Sequence, residues 1–315
     1  MELLIFSKIR SLAWGKKTKR LYLSFMPNSL SKLSRQVYLA LLIGLLLVGG
    51  VLAQKKDSAV ESLRPVIVQG AMPVEVELLV KRLENASEEK VGGWMFWRGT
   101  VNGYPVVISK TLKGMSNTAA ATAIAIERFK PVAIINQGTA GGHDAQLNVF
   151  DIVIGEAAVN LGAFKTGVRQ AGQGSDSMEW LPMDLLASEG SAGEDPNART
   201  MRRFNADEQL LAVADKVKGS YRKGKVVRGV MGSSAVWDSE LDRINRFHKQ
   251  FGTSVEEMET ASAAQIAKFF NVPFLGIRVL SNNITNGGKY NGTTALACQE
   301  YVFEVVKAYV AARRK

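Results

Sequence analysis

Four apolar runs in this chain each end in a cluster of small or polar residues: Gly70-Ala71-Met72, Gly138–Gly142, Gly232-Ser233-Ser234 and Ser281-Asn282-Asn283. In α/β sheets, ligands bind beyond the carboxyl ends of the strands, and small residues there let the backbone come close to a ligand. The runs Pro65–Ala71, Pro131–Asn136, Val149–Glu156, Lys225–Met231 and Val272–Leu280 read as strands. Trp94–Arg98 and Pro105–Ser109 read as a strand pair around the Asn102-Gly103 turn. Helical spacing falls between them, in Val74–Leu83, Asn117–Phe129, Ala206–Val217, Glu257–Phe270 and Thr294–Ala312. Strands alternating with helices specify a three-layer α/β domain. Residues 163–200 are rich in Gly, Ser and charge, and read as an irregular excursion or lid from a single domain over 54–315. The acids of Glu257-Met258-Glu259 open a small, apolar helix. They serve either the helix dipole or a site into which a carboxylate is aimed.

Composition removes several classes of function. The 46% hydrophobic content over 315 residues is enough for a large core and excludes a disordered chain. Cys298 is the lone cysteine, so no intramolecular disulfide or CxxC zinc site can form. His143 and His248 are the only histidines, which excludes a three-histidine metal centre. No metal and no cofactor is expected. His143 and Asp144 extend the Gly-rich turn of Gly138–Gly142 and read as a turn-stabilising Asp beside a partly exposed His; His248 reads as solvated. The net charge of +11 is unevenly placed. Residues 1–36 carry eight basic residues against Glu2, and Arg313-Arg314-Lys315 carry three more, which leaves the body close to neutral. The basic face that nucleic-acid binding requires is therefore not expected.

Residues 38–53 form an uncharged run of 16, short for a bilayer span but suited to the apolar segment of a signal peptide. Val51-Leu52-Ala53 resembles a cleavage site, and Met26 offers a start that gives a compact leader. Residues 1–53 are therefore read as a leader. The mature chain is then expected to be exported, periplasmic or secreted, or held at the membrane by 38–53 if the leader is uncleaved.

Several motifs then carry a resemblance: Gly70-Ala71-Met72 with Glu75, Ile135–Gly142, Val255–Glu259, and Asn271-Val272-Pro273-Phe274 leading to Arg278 and Ser281. Their order and spacing resemble the methylthioadenosine/S-adenosylhomocysteine nucleosidases of the purine nucleoside phosphorylase superfamily, over about residues 65–312. The resemblance implies a nucleoside phosphorylase-like fold, three-layer α/β/α with a mixed twisted central sheet. It implies cleavage of the N-glycosidic bond of a purine nucleoside, and a homodimer. It makes Glu75 the base that activates water, with a solvated first-turn acid as the plain alternative. Glu259 would accept bonds from the ribose hydroxyls. Met258 would floor the sugar or simply pack in the core, and Trp237 would face the purine or be a buried structural Trp. Gly141, Thr111 and Ser281 would complete the substrate site, and Arg278 would order it. The cluster Trp94-Met95-Phe96-Trp97 reads as interface or core.

Two departures stand out. The family places an aspartate after the late-strand serine to protonate or bond N7 of the leaving adenine; here the residue is Asn282. An amide cannot donate a full proton, so N7 is served by the amide N–H, or the preferred base shifts toward 6-oxopurines, or the chain is a weak enzyme or a storage-type binder. After Gly70-Ala71-Met72, Pro73 and Val74 replace further acids and leave Glu75. A phosphorylase would need a cation where Glu75 stands; Lys110 and Lys113 are the available candidates, and hydrolysis is the favoured reading.

Overall fold

The computed structural model describes residues 63–183, 185 and 202–314. The expected leader 1–53, and residues 184 and 186–200 of the expected excursion, lie outside the described residues. Among the described residues, no helix is long and apolar enough to cross a membrane.

Strand β1 (Val66–Gly70) is buried at every position and lies between two parallel neighbours, β4 (Tyr104–Lys110) and β5 (Ala133–Gly142). A strand covered on both faces reads as a continuous apolar run, and Val66-Ile67-Val68 does. Its alternation shows in what it touches. Val66 and Val68 join a core with Val76 and Leu79 of α1 (Pro73–Lys81) and Val302 and Val305 of α6 (Thr294–Arg313). Ile67 faces the opposite core, with Ala125 and Ile126 of α2 (Met115–Phe129) and the alanines of α5 (Thr260–Phe269). The α/β/α layering follows from that period of two.

The sheet is mixed. It runs β11 (Thr253–Glu257), β10 (Val226–Ser233), β6 (Ile152–Asn160), β12 (Phe274–Asn282), β5, β1, β4, β3 (Trp94–Val101), β2 (Glu84–Val91), with β9 (Arg203–Asn205) added beside β6. Strand β11 also pairs antiparallel with β5, Val255 opposite Gly142 and Glu256 opposite Gly141, so β5-β12-β6-β10-β11 close into a ring. Helix α3 (Glu208–Lys216) contributes Leu210 and Leu211 to the α1/α6 core, and α4 (Leu241–Phe251) packs Phe247 and Phe251 near β6 and β10.

Four expectations are corrected. Strand β2 was not foreseen, because Glu84–Val91 is polar and charged; it is an exposed edge strand, where charge suits the solvent and blunts edge-to-edge pairing. Gly138–Gly142 is not a turn but the second half of β5. Residues 253–257 form a strand, so the helix expected from Glu257 begins at Thr260. Within the described part of the excursion, β7 (Phe164–Lys165) and β8 (Leu181–Pro182) pair in a short ribbon. Of the aromatic cluster in β3, Phe96 is buried core, while Trp94 and Trp97 are half-buried.

Candidate active site

A cleft of about 270 Å3 opens where β1, β5 and β12 meet β10 and β11. It is not at one edge of the sheet, because β6, β10 and β11 run opposite to β12, β5 and β1. Three of the four small-residue clusters line it directly, through Ala71 and Met72, Thr139 to Gly142, and Ser281 with Asn282. The fourth reaches it indirectly: Ser233 and Ser234 bond Glu257 and Glu256, while Val236 to Asp238 form the wall.

Glu75 is buried at the third position of α1, where Pro73 starts the helix. Its Oε2 accepts the backbone N–H of Ala71 (2.9 Å) and Met72 (3.1 Å). Its Oε1 accepts Thr139 N–H at 2.9 Å and the Thr139 hydroxyl at 3.1 Å. Gly138 makes that approach possible, since a Cβ there would lie 2.7 Å from Glu75 Oε1. Gln299 of α6 locks the helix, donating to Val74 O at 2.7 Å and accepting Leu78 N–H at 2.9 Å. Three of the four donors to Glu75 are backbone and fixed. The Thr139 hydroxyl alone can rotate toward a water and free Oε1 to take its proton.

Glu257 and Glu259 divide the two roles foreseen for the acids of this segment. Glu257 accepts the N–H of Glu259 (3.0 Å) and Thr260 (2.9 Å), so it holds the start of α5. Its carboxylate also bonds Arg278 Nη2, and that pair is buried. Arg278 in turn holds Asn136, donating to its side chain at 2.6 Å and its carbonyl at 3.2 Å. Glu259 faces the cleft, with Oε1 accepting Gly114 N–H at 2.8 Å and Oε2 4.0 Å from Arg278 Nη2. Burial, with the Glu257 charge adding to it, pushes the Glu259 carboxyl up to about 7; Arg278 and Gly114 oppose this.

Strands β5 and β12 slip register between Leu280 and Asn282, which bulges Ser281 and sets Asn282 opposite Gly141. The Ser281 hydroxyl lies within bonding distance of Ala140 O (3.1 Å) and Asn282 Oδ1 (3.0 Å). Asn283 is structural, its amide donating to Asp144 O and Leu147 O at 2.9 and 2.7 Å.

The structure therefore brings together Glu75, Gly141, Met258, Glu259, Ser281, Asn282 and Trp237 on one cleft, with Lys113 at its edge. Trp237 is not buried: it is 70% exposed, 6.2 Å from the ring of Tyr290. Thr111 and Arg278 do not line the cleft. Thr111 is buried at the end of β4, bonded to Gly70, and Arg278 acts through the carboxylates it holds. His143, read as partly exposed, is buried. Its Nδ1 meets Thr253 Oγ1 at 2.8 Å and its Nε2 meets Glu256 Oε2 at 2.9 Å. His248 is exposed, as expected, with Nδ1 at 2.7 Å from Thr253 O. Burial pushes the Cys298 thiol up to about 12, which leaves it unreactive. Sequence reasoning missed Thr139, Glu256, Asp238 and Tyr290. Glu256 lies within the Val255–Glu259 motif but has no role assigned there; only the strand assignment turns it toward the cleft.

Comparison with known proteins agrees with this fold. Residues 65–311 match the model of the phosphorylase superfamily. The 5'-methylthioadenosine/S-adenosylhomocysteine nucleosidase of Bacillus thuringiensis (strain Al Hakam) is 34% identical over 218 residues, 69% of this chain and 85% of its own length. The crystal structure of the corresponding nucleosidase from Neisseria meningitidis, in complex with methylthio-immucillin-A, is 26% identical with a TM-score of 0.64. That match covers 78% of this chain and 99% of the other. The Colwellia psychrerythraea 34H nucleosidase in complex with adenine is 27% identical, with a TM-score of 0.62 over 79% and 96% of the two chains. The chain belongs to the phosphorylase superfamily and, within it, to the methylthioadenosine/S-adenosylhomocysteine nucleosidase family.

Proposed function

We propose that this protein hydrolyses the N-glycosidic bond of a purine nucleoside, releasing the free base and a ribose derivative. The observation that carries the reading is Glu75, a buried carboxylate on the cleft wall with one of its four donors a rotatable hydroxyl. Departure of the base leaves an oxocarbenium-like ribosyl cation. Glu75 draws a proton from the water that Thr139 orients as the water oxygen bonds C1′; the C1′–N9 electron pair leaves with the base, whose charge the Asn282 amide N–H meets and which takes its proton from solvent. Glu259 receives the vicinal ribose hydroxyls, in charge-assisted bonds of about 1.5–3 kcal/mol each. The carboxylates of Glu75 and Glu259 also give the cleft the negative field that a developing cation requires.

Hydrolysis is favoured over phosphorolysis by charge. Among the described residues lining the cleft, Lys113 is the one Lys or Arg, and it is exposed, whereas Glu75, Glu257 and Glu259 are buried acids. A phosphate anion placed beside Glu75 would meet like charge. Incubation with purine nucleosides, with and without inorganic phosphate, tests the assignment by chromatography of the products. Free base and reducing sugar without phosphate are expected; strict phosphate dependence would make the protein a phosphorylase, and binding without cleavage a storage-type relative.

Export and dimerisation belong to the same proposal. The uncharged run 38–53 supports export, and a mature N-terminus at Gln54 in the secreted or periplasmic fraction is the expected result. Family membership supports a homodimer, which sedimentation measures directly.

A further inference from the structure

Helix α1 has an unusual start. Pro73 brings no N–H, and the N-cap residue Met72 offers no side-chain bond. The Glu75 carboxylate caps the helix instead, accepting the N–H of Ala71 and Met72. In the hydrolysis outlined above the same carboxylate takes a proton. A neutral acid accepts hydrogen bonds far less strongly than a carboxylate. A cap that loses its charge in each turnover cannot by itself keep the first turn of α1 in place, so groups that do not titrate have to hold it.

Two buried amides do. Gln137 of β5 donates from Nε2 to Glu75 O at 2.5 Å, and Gln299 of α6 donates from Nε2 to Val74 O at 2.7 Å. Oε1 of Gln299 accepts Leu78 N–H at 2.9 Å and Leu79 N–H at 3.3 Å. These four backbone groups are the two ends of two successive rungs of the helix ladder. Val74 O and Glu75 O belong to the peptide units on either side of the Glu75 Cα, so the root of that side chain is gripped from two directions. The second donor of Gln299 goes to Ala295 O at 3.2 Å, which completes its four bonds.

Gln137 is not completed in this way. It is 1% exposed, yet its Oε1 has no partner among the described residues. A buried, unpaired amide oxygen costs stability. A Cβ at Gly70 would lie 2.8 Å from Gln137 Nε2, so the glycine leaves the passage through which the amide reaches Glu75. An apolar side chain would fill the same space with no unpaired oxygen. What it could not do is hold Glu75 O.

We propose that Gln137 and Gln299 are positioning residues for Glu75, a grip independent of charge that keeps its carboxylate on Thr139 and the attacking water while it changes protonation. This rests on the hydrolysis reading. Without either amide Glu75 drifts from that water, and a misplacement of about 1 Å can cost about 100-fold in rate. Nucleoside binding is carried by Glu259 and by the β5–β12 wall, which neither glutamine touches.

The test measures kcat, KM and melting temperature of the full chain as wild type, Gln137→Met and Gln299→Met, together with amide hydrogen exchange. Each variant is expected to lose about 10- to 100-fold in kcat, with KM for the nucleoside within about twofold of wild type. Gln137→Met should do so with its melting temperature unchanged or raised, because the unpaired oxygen is gone. A glutamine that only stabilised the fold could not give that combination. Exchange at Ala71, Met72 and Thr139, whose N–H groups Glu75 accepts, should quicken in both variants while β6 and β10 keep their protection. A kcat within about twofold of wild type in either variant, or a loss confined to KM, would overturn the proposal. If Gln299→Met does not fold, Gln137→Met alone decides. If the wild-type chain releases no base, the hydrolysis reading fails and exchange decides the grip: quickening confined to those three amides sustains it, and no local change refutes it.

Discussion

The two ends of the cleft are built differently. At the water and ribose end every acid is tied to backbone: Glu75 by Ala71, Met72 and Thr139, Glu257 by Glu259 and Thr260, Glu259 by Gly114. At the base end the polar groups are tied mainly to other side chains, Glu256 to His143 and Ser234 and Asn282 to Ser281, and the outer wall is two exposed aromatics. Backbone donors hold a charge in place whatever the neighbouring side chains are. Side-chain partners can be exchanged by substitution. On the proposed function, the chemistry of bond cleavage is carried by the fold and the choice of base by a few replaceable residues.

The sharpest way to break that comparison is at Glu75. Glu75→Gln keeps the shape but removes the proton acceptor, and kcat for base release should fall by about 10²–10⁴-fold with nucleoside binding largely intact. Turnover within a few-fold of wild type would move the base elsewhere. A loss confined to KM would make Glu75 a binding group.

Glu259 carries the next largest effect. Glu259→Ala should weaken ribosides by about 10- to 100-fold and free bases much less, since only ribosides present the two hydroxyls. Its raised carboxyl also gives a pH signature. Between the unfolded value near 4.5 and about 7, the folded chain holds a proton that the unfolded chain releases, so stability falls as pH rises through that window. Thermal unfolding from pH 4.5 to 8 should show the decline, and Glu259→Gln should remove it. Riboside KM should fall over the same rise, as the ionised carboxylate accepts both hydroxyls.

Much of this frame is legible in sequence. Val66–Gly70 and Phe274–Asn282 are apolar runs with small ends, and the position of Glu75 after Gly70 survives any error in helix boundaries. What is illegible depends on closure of the sheet. The glycines of 138–142 read as a turn because glycine is frequent in turns. Here they extend a strand that must pass Glu75, Asn282 and Asn283 at contact distance. The pairing of β11 with β5 joins residues more than a hundred positions apart and carries no local pattern, so the environments of Glu256 and His143 could not be read. The same holds for Gln299, which secures α1 from 225 residues away.

Asn282 sharpens the comparison from the base end. Asn282→Asp restores an acid beside the leaving base and should raise hydrolysis of adenine nucleosides by roughly tenfold, a fraction of the full general-acid effect. For 6-oxopurine nucleosides it should help little or harm, because a carboxylate facing O6 meets like charge. The ratio of kcat/KM for adenosine- and inosine-type substrates in both variants is the measurement. If wild type already prefers adenine nucleosides and the variant gains nothing, N7 is handled by another group.

Trp237 should give the smallest effect, and its form matters more than its size. The ring is 70% exposed and tilted 58° from Tyr290, which is itself 59% exposed. The two rings come from different loops, after β10 and after β12, so a base can lie against them without disturbing the sheet. Stacking of a base on an aromatic is worth about 1–3 kcal/mol, and an open face keeps to the lower end. Trp237→Ala should therefore lower kcat/KM by about fivefold, roughly 1 kcal/mol. Stacking acts on the base equally before and during bond cleavage, so the loss should fall on KM with kcat unchanged. Trp237→Phe should recover most of it, because a smaller ring still presents a π face. Removing Tyr290 as well should cost less than the sum of the two single losses, since the rings share one partner. A fall in kcat matching the fall in kcat/KM would mean that the exposed ring aids the departing base itself, and the division between a fixed catalytic end and an exchangeable base end would not hold.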